Sequence, residues 1–182
     1  MTDSKHDELL RFWADAGYQR WFSRSDAFDA QCRERFLPLH LAATRRELEH
    51  WLDAADSALA LVLALDQIPR NVYRDSAHAW AADPLARHYA DAAIGKDFDA
   101  RVDAGLRAFF YMPFEHSEDL ADQQRSVQLF SALGHADYLH YARRHHDDIV
   151  RFGRFPHRNR ALARVSTPEE LAYLQAGGGY AQ

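Results

Sequence analysis

Asp56-Ser57-Ala58-Leu59-Ala60-Leu61-Val62-Leu63-Ala64-Leu65-Asp66-Gln67-Ile68-Pro69-Arg70-Asn71 passes from an acidic start through an unbroken apolar run into a polar, proline-containing end. Ala, Leu and Val with no polar face mark a helix buried on most sides, the expected centre of the core. Proline has no amide hydrogen and disfavours helix in the residue before it, so Pro69 is expected to end this helix. The run from Ala58 to Leu65 is the longest apolar stretch in the chain, far short of the roughly 20 residues that span a bilayer.

Helical signals continue on both sides, and no stretch alternates with β-branched residues, so the expected fold class is all-α. A first helix starts at Ser4, with Asp7 as an imperfect capping box, and buries Leu9, Leu10 and Trp13 before Gly17 stops it. Asp26 is the expected cap of a second, whose Phe28, Cys32 and Phe36 form an i, i+4, i+8 stripe until Pro38 breaks or kinks it. A further segment carries Leu41, Leu48, Trp51 and Leu52. Beyond the central helix, Ser76 to Ala82 forms a short helix, and Asp83-Pro84 reads as a cap with proline at the first position of a helix running to Gly95. A helix from about Asp99 places Val102, Leu106, Phe109 and Phe110 on one side and closes at Pro113. Ser117 caps the next, with Leu120, Val127, Phe130 and Leu133 inward until Gly134. The helix from about Ala136 to Phe152 buries Leu139, Ala142, Ile149 and Phe152 and ends at Gly153. Thr167-Pro168-Glu169-Glu170 is the best capping box in the chain, and Gly177 to Gly179 read as a loose tail.

The 182 residues are most simply one domain, large enough to bury roughly 70% of the surface the unfolded chain exposes. Cys32 is the only cysteine, which excludes an intramolecular disulfide framework or a cysteine-rich zinc site and suits a reducing cytoplasm. Four residues before Phe36, it reads as core filler. With 27 acids against 22 bases, the net charge of −5 disfavours nucleic acid as a partner. No membrane partner is expected, and the polar, acidic N-terminus is unlike a signal peptide. Eleven histidines make the charge sensitive between about pH 5 and 8.

Three segments repeat one design, a hydrophobic residue, a proline and a burst of ionisable groups: Asp66 to Asn71, Tyr111 to Glu118 and Arg154 to Asn159. Their prolines lie 44 and 43 residues apart, the spacing of a helical hairpin repeated along a solenoid or bundle. The three joints are therefore expected to converge on one polar surface.

These segments, as Leu65 to Arg74, Phe109 to Asp119 and Arg151 to Asn159, resemble the bacterial domain-of-unknown-function family 924. The likeness runs from about Leu9 to Leu174 and includes Trp21-Phe22, Phe28-Asp29 and Ser166 to Glu170, with Ile68 standing where the family more often has phenylalanine. The resemblance implies antiparallel helix pairs stacked in a tetratricopeptide-like right-handed superhelix or a compact irregular bundle. It implies no established activity. The proline period exceeds the tetratricopeptide unit of about 34 residues, so any repeats are irregular.

Arg70, Arg74, Arg154 and Arg158 carry planar forks suited to a carboxylate or phosphate, and arginines past a helix end also cap carbonyls or pair with acids such as Asp66 and Glu115. Asn71 and Asn159 follow in the same register, where asparagine also makes turns. His157 completes the expected ligand-binding set with Asp66. Glu115 and His116 offer acid and base roles, whereas Glu118 and Asp119 fit plain complementation of a helix N-terminus. A metal could draw on His145 and Asp148 with Glu115, Glu118 or His157, but the paired Glu-x-x-His units of carboxylate-bridged bundles are missing, so no metal or cofactor is expected. Phosphate-loop and Gly-x-Ser-x-Gly motifs are absent, and Trp13, Trp21, Trp51 and Trp80 read as core.

The leading expectation is a cytoplasmic helical protein that binds an anionic small molecule or peptide through the proline joints. Two alternatives stay open. One is an enzyme with Glu115 or His116 transferring a proton while arginines hold the substrate. The other is an ion-pair lattice that fixes helix register, with function in protein contacts, including those of a homo-oligomer.

Overall fold

The computed structural model describes residues 3 to 180, with side chains from Lys5 onward; the cap expected of the Ser4 side chain lies outside the described residues. Among the described residues there are eight α-helices and no strand. The central one is α3, Ala55–Val72, in which every residue except Asp56 is buried. Around it pack α1 (Asp3–Trp21), α2 (Asp26–Thr44) and α4 (Asp83–Ile94), so the core has a hub. The short α5 (Met112–Glu115) links α4 to a hairpin of α6 (Leu120–Leu133) and α7 (Ala136–Phe152), and α8 (Pro168–Gln175) packs on the 3-10 turn Pro156–Arg158.

The prolines behave differently from expectation. α3 runs through Pro69 for another turn, because packing on all sides outweighs a proline penalty of about 3 kcal/mol. Side chains also serve the carbonyls around it: His40 Nδ1 lies 2.8 Å from the Ala64 oxygen, Arg70 Nη1 donates to Asp66 O at 2.5 Å, and Asn71 Nδ2 donates to Gln67 O at 3.0 Å. Asp66, Arg70 and Asn71 are therefore interior residues of a helix, not the flank of a joint. α2 likewise continues through Pro38, which lies with Glu34 on the exposed face of that helix. Pro113 sits in the first turn of α5, a position that tolerates it.

Other local expectations shift by a residue or a turn. Ser25, not Asp26, caps α2, accepting from Phe28 N at 3.3 Å, and the stripe Phe28, Cys32, Phe36 is buried as expected. Leu41 stays on α2, while Trp51 belongs to a 3-10 turn, Glu49–Asp53. The Ser76 segment forms one 3-10 turn, Ala77–Ala79. Between Asp99 and Phe110 turns and a 3-10 segment, Arg107–Phe110, replace the expected helix. There Asp103 Oδ1 accepts from Gly105 N at 2.8 Å, a local bond that competes with helix, although Val102, Leu106, Phe109 and Phe110 are all buried. Asp119 rather than Ser117 caps α6; Phe130 is buried and Val127 and Leu133 pack against the core as expected, Gln123 and Ser126 are buried beside them, and Leu120 is exposed. Gly134 and Gly153 adopt φ 76° and 67° and end α6 and α7 in the left-handed cap that glycine tolerates. The Thr167 box forms in full. The tail past Gly177 is docked, not loose: the Tyr180 ring stacks 3.7 Å from that of His145, and its hydroxyl lies 3.0 Å from Asp148.

Candidate functional site

The polar end of α3 is built into the hub, so its charges must be answered by neighbours. Asp66 is fully buried and accepts from Gln67 Nε2 at 2.6 Å and His116 Nδ1 at 2.8 Å, with Arg70 Nη1 at 3.3 Å. Burial opposes its ionisation, but the Arg70 guanidinium and His116 hold its carboxyl well below the usual carboxylate range. Arg70 in turn grips both oxygens of Asp83, at 2.9 and 3.0 Å. Asp83 is thus no helix cap: Ala82 occupies that position, and the carboxylate turns inward from the first turn of α4. His116 lies at the C-terminal cap of α5. Burial, then Arg70, lowers its pKa, so the ring is neutral at pH 7; because Asp66 only accepts, the proton sits on Nδ1 and the Nε2 lone pair points away from Asp66.

Arg158 arrives from the 3-10 turn Pro156–Arg158 and lies between two aromatic rings, 4.5 Å from the Phe155 centroid and 5.3 Å from that of Trp80. It is 4% exposed. The nearest acid is Asp83, whose oxygen is 3.6 Å from Nη1, beyond hydrogen-bonding reach and already held by Arg70. Among the described residues its buried Nε has no partner, nor has the indole nitrogen of Trp80. Burial lowers the Arg158 pKa to about 10, with Asp83 opposing and Arg70 adding to the fall, which leaves a cation at neutral pH. Trp80, Asp83, Arg87, His116, Glu118 and Arg158 line an open groove of about 470 Å³.

The remaining candidates go elsewhere. Glu115 Oε1 lies 2.9 Å from His145 Nδ1, which is also 2.9 Å from the Tyr141 carbonyl. Asp148 faces Tyr173 and Tyr180 instead, at 2.8 and 3.0 Å, and among the described residues no three His, Cys, Asp or Glu side chains gather to hold a metal ion. Arg74 pairs with Asp29 and donates to Asn71 Oδ1 at 3.1 Å. Arg154 grips Glu170 at 2.6 and 2.8 Å, and Asn159 donates to the same carboxylate at 3.2 Å and to Ser166 at 3.0 Å. His157 packs against the Phe155 and Tyr180 rings, and burial, with Arg158 second, lowers its pKa to about 3. The three segments therefore bring Asp66, Arg70, His116 and Arg158 together, with Glu115 and His157 behind them, and leave Arg74, Asn71, Arg154 and Asn159 outside the groove.

A family model described as bacterial protein of unknown function, DUF924, matches residues 9–178. The chain belongs to that family. It is also similar to a solved structure from Agrobacterium tumefaciens, the protein of unknown function ATU0120, at 50% identity and a TM-score of 0.94, over 97% of this chain and 100% of that one. No curated protein matches. Among the described residues no helix is long and apolar enough to cross a membrane.

Two groove residues of this DUF924 chain, and Phe155 buried behind them, escape a reading of its sequence. Asp83 carries the signature of a cap, Asp-Pro before an apolar run, and only the approach of Arg70 reveals its other use. Trp80 and Phe155 look like core aromatics, and their role as the two faces of a guanidinium slot depends on a contact 78 residues apart in sequence between Trp80 and Arg158.

Proposed function

We propose that the groove between α4, α5 and the Pro156–Arg158 turn binds a small molecule bearing a carboxylate or phosphate, anchored on Arg158. The observation that carries this reading is a buried guanidinium with no hydrogen bond of its own among the described residues, its charge leaning on a carboxylate that Arg70 already occupies. Guanidinium donors left unmade in a buried setting are costly, and a bidentate anion supplies what they lack. Trp80 and Phe155 fix the plane of the fork, so little rotamer freedom remains to be lost on binding. The volume of about 470 Å³ suits a metabolite-sized ligand.

Titration calorimetry and thermal shift with inorganic phosphate and succinate test this. The wild type should bind at least one and gain stability in proportion to the logarithm of concentration. Arg158→Gln should lose the response and Arg74→Ala keep it. Absence of a response in the wild type, or an equal one in Arg158→Gln, sinks the reading.

A further inference from the structure

Most titratable groups on the groove wall already have partners. Asp83 holds Arg70. Arg87 pairs with Asp122 at 2.8 Å. Glu118 holds Arg164 at 2.7 and 2.9 Å and accepts from Phe155 N at 2.8 Å. Asp119 caps α6. The Ser117 hydroxyl donates to Asp122 at 2.7 Å, and the lone cysteine, Cys32, lies buried on α2. Among the described residues two uncommitted groups remain on this wall, the Arg158 fork and the Nε2 lone pair of His116.

Resting on the reading of Arg158 as an anion anchor, we propose that the groove is a hydrolytic site in which His116, positioned by Asp66, is the general base that activates water against a carboxylic ester of an anionic acid. The Asp66–His116 bond fixes ring and tautomer, which is what a base needs from a buried carboxylate. With the serine committed and the cysteine elsewhere, the nucleophile is water. The Nε2 lone pair takes one proton from water as the water oxygen bonds to the acyl carbon. The ester C–O bond breaks, and the proton passes from Nε2 to the departing oxygen. Ester and water become acid and alcohol, with no oxidant or reductant involved. Arg158 holds the distal anion, and Trp80, Pro84 and Leu162 offer an apolar strip for the carbon chain between.

Mono-4-nitrophenyl succinate is the probe, with neutral 4-nitrophenyl acetate as its comparison. After subtraction of each ester's spontaneous rate in buffer, the wild type should release nitrophenolate from the anionic ester faster than from the acetate, with an enzymatic rate that falls on the acid side along one ionisation. His116→Gln should slow this by roughly 100-fold or more while binding succinate within about twofold of the wild type, which shows that the groove is intact. Arg158→Gln should remove the preference for the anionic ester. Because Asp66→Asn risks misfolding, its role as a positioning residue is read in a second way: where the variant folds, the acid limb should move to lower pH, since the imidazole has lost its anion. A wild-type rate no higher than that of buffer, or His116→Gln as fast as the wild type, overturns the proposal while succinate binding survives. Loss of succinate binding in the wild type overturns the anchor as well.

Discussion

Arg154 and Arg158 stand one helical turn apart in sequence and end in opposite circumstances. Arg154 lies in a clasp with α8, where Glu170 answers two of its donors and also accepts from Asn159 and from Thr167 N at 2.7 Å, while Val165 O takes a further bond at 2.9 Å. Arg158 turns toward the hub, and among the described residues its nearest acid is shared with Arg70. The difference teaches that an arginine-rich motif does not distinguish a structural charge from an available one. What distinguishes them is whether the opposing element brings as many acceptors as there are donors. α8 does so; the first turn of α4 brings a single carboxylate for two guanidiniums.

The sharpest way to break this contrast is to remove the shared carboxylate. Asp83→Ala leaves Arg70 and Arg158 buried against each other with Asp66 as the nearest remaining acid, and should destabilise the protein by about 3–5 kcal/mol in urea unfolding. A loss below about 1 kcal/mol would mean that Asp83 is not the common counter-charge, and the distinction between the two arginines would collapse.

Acid should separate the two regions next. His157, behind the groove, has its pKa lowered to about 3 by burial and by Arg158, so the unfolded chain binds its proton first. Its share of stability is complete above about pH 6.5 and is lost as pH falls from there toward 3, with a slope of at most about 1.4 kcal/mol per pH unit. Glu170, in the clasp, is held at about 2 by its bonds to Arg154, and its share is complete above about pH 4.5 and lost as pH falls toward 2. Between about pH 6.5 and 4.5 the groove side should therefore weaken before the clasp. Comparing wild type with His157→Gln over that interval checks it: the variant should show the shallower loss.

A smaller effect belongs to the clasp alone. Thr167→Ala removes the side-chain half of the capping box and should lower stability by about 1 kcal/mol without changing any anion response. If it altered phosphate or succinate binding, clasp and groove would be one coupled unit.

Much of the fold was legible in the residues, although the contrast between Arg154 and Arg158 was not, and the limits are physical. Local grammar held where the determinant is local: the Thr167 box, the left-handed glycines 134 and 153, the stripe on α2 and the burial of residues 58 to 65. It failed at Pro69, where side-chain donors and dense packing outweigh the helix-breaking tendency, and Pro38, on the exposed face of α2, does not break that helix. The convergence of Asp66, Arg70, His116 and Arg158 followed from the repeated segments, although α3 continues through the first supposed joint. The pairing within that set did not follow, because Arg70 is served by Asp83 and His116 by Asp66, contacts set by how α3, α4 and α5 meet.

The smallest expected change in stability is the one that most sharpens the comparison. Arg158→Met keeps a long side chain between the Trp80 and Phe155 rings while removing a charge that has no hydrogen bond to lose among the described residues. Replacing a buried charge by a hydrophobic side chain of similar length is often neutral or stabilising, so this variant should unfold within about 1 kcal/mol of the wild type or above it. Arg154→Met should instead weaken the fold, since it strips Glu170 of two charged donors. An Arg158→Met protein that is at least as stable as the wild type but no longer responds to phosphate or succinate would mark a residue kept at the expense of packing for the sake of a ligand. One that lost several kcal/mol would return Arg158 to the ion-pair lattice alongside Arg70, and the groove would then be a seam between helices with no anchor in it.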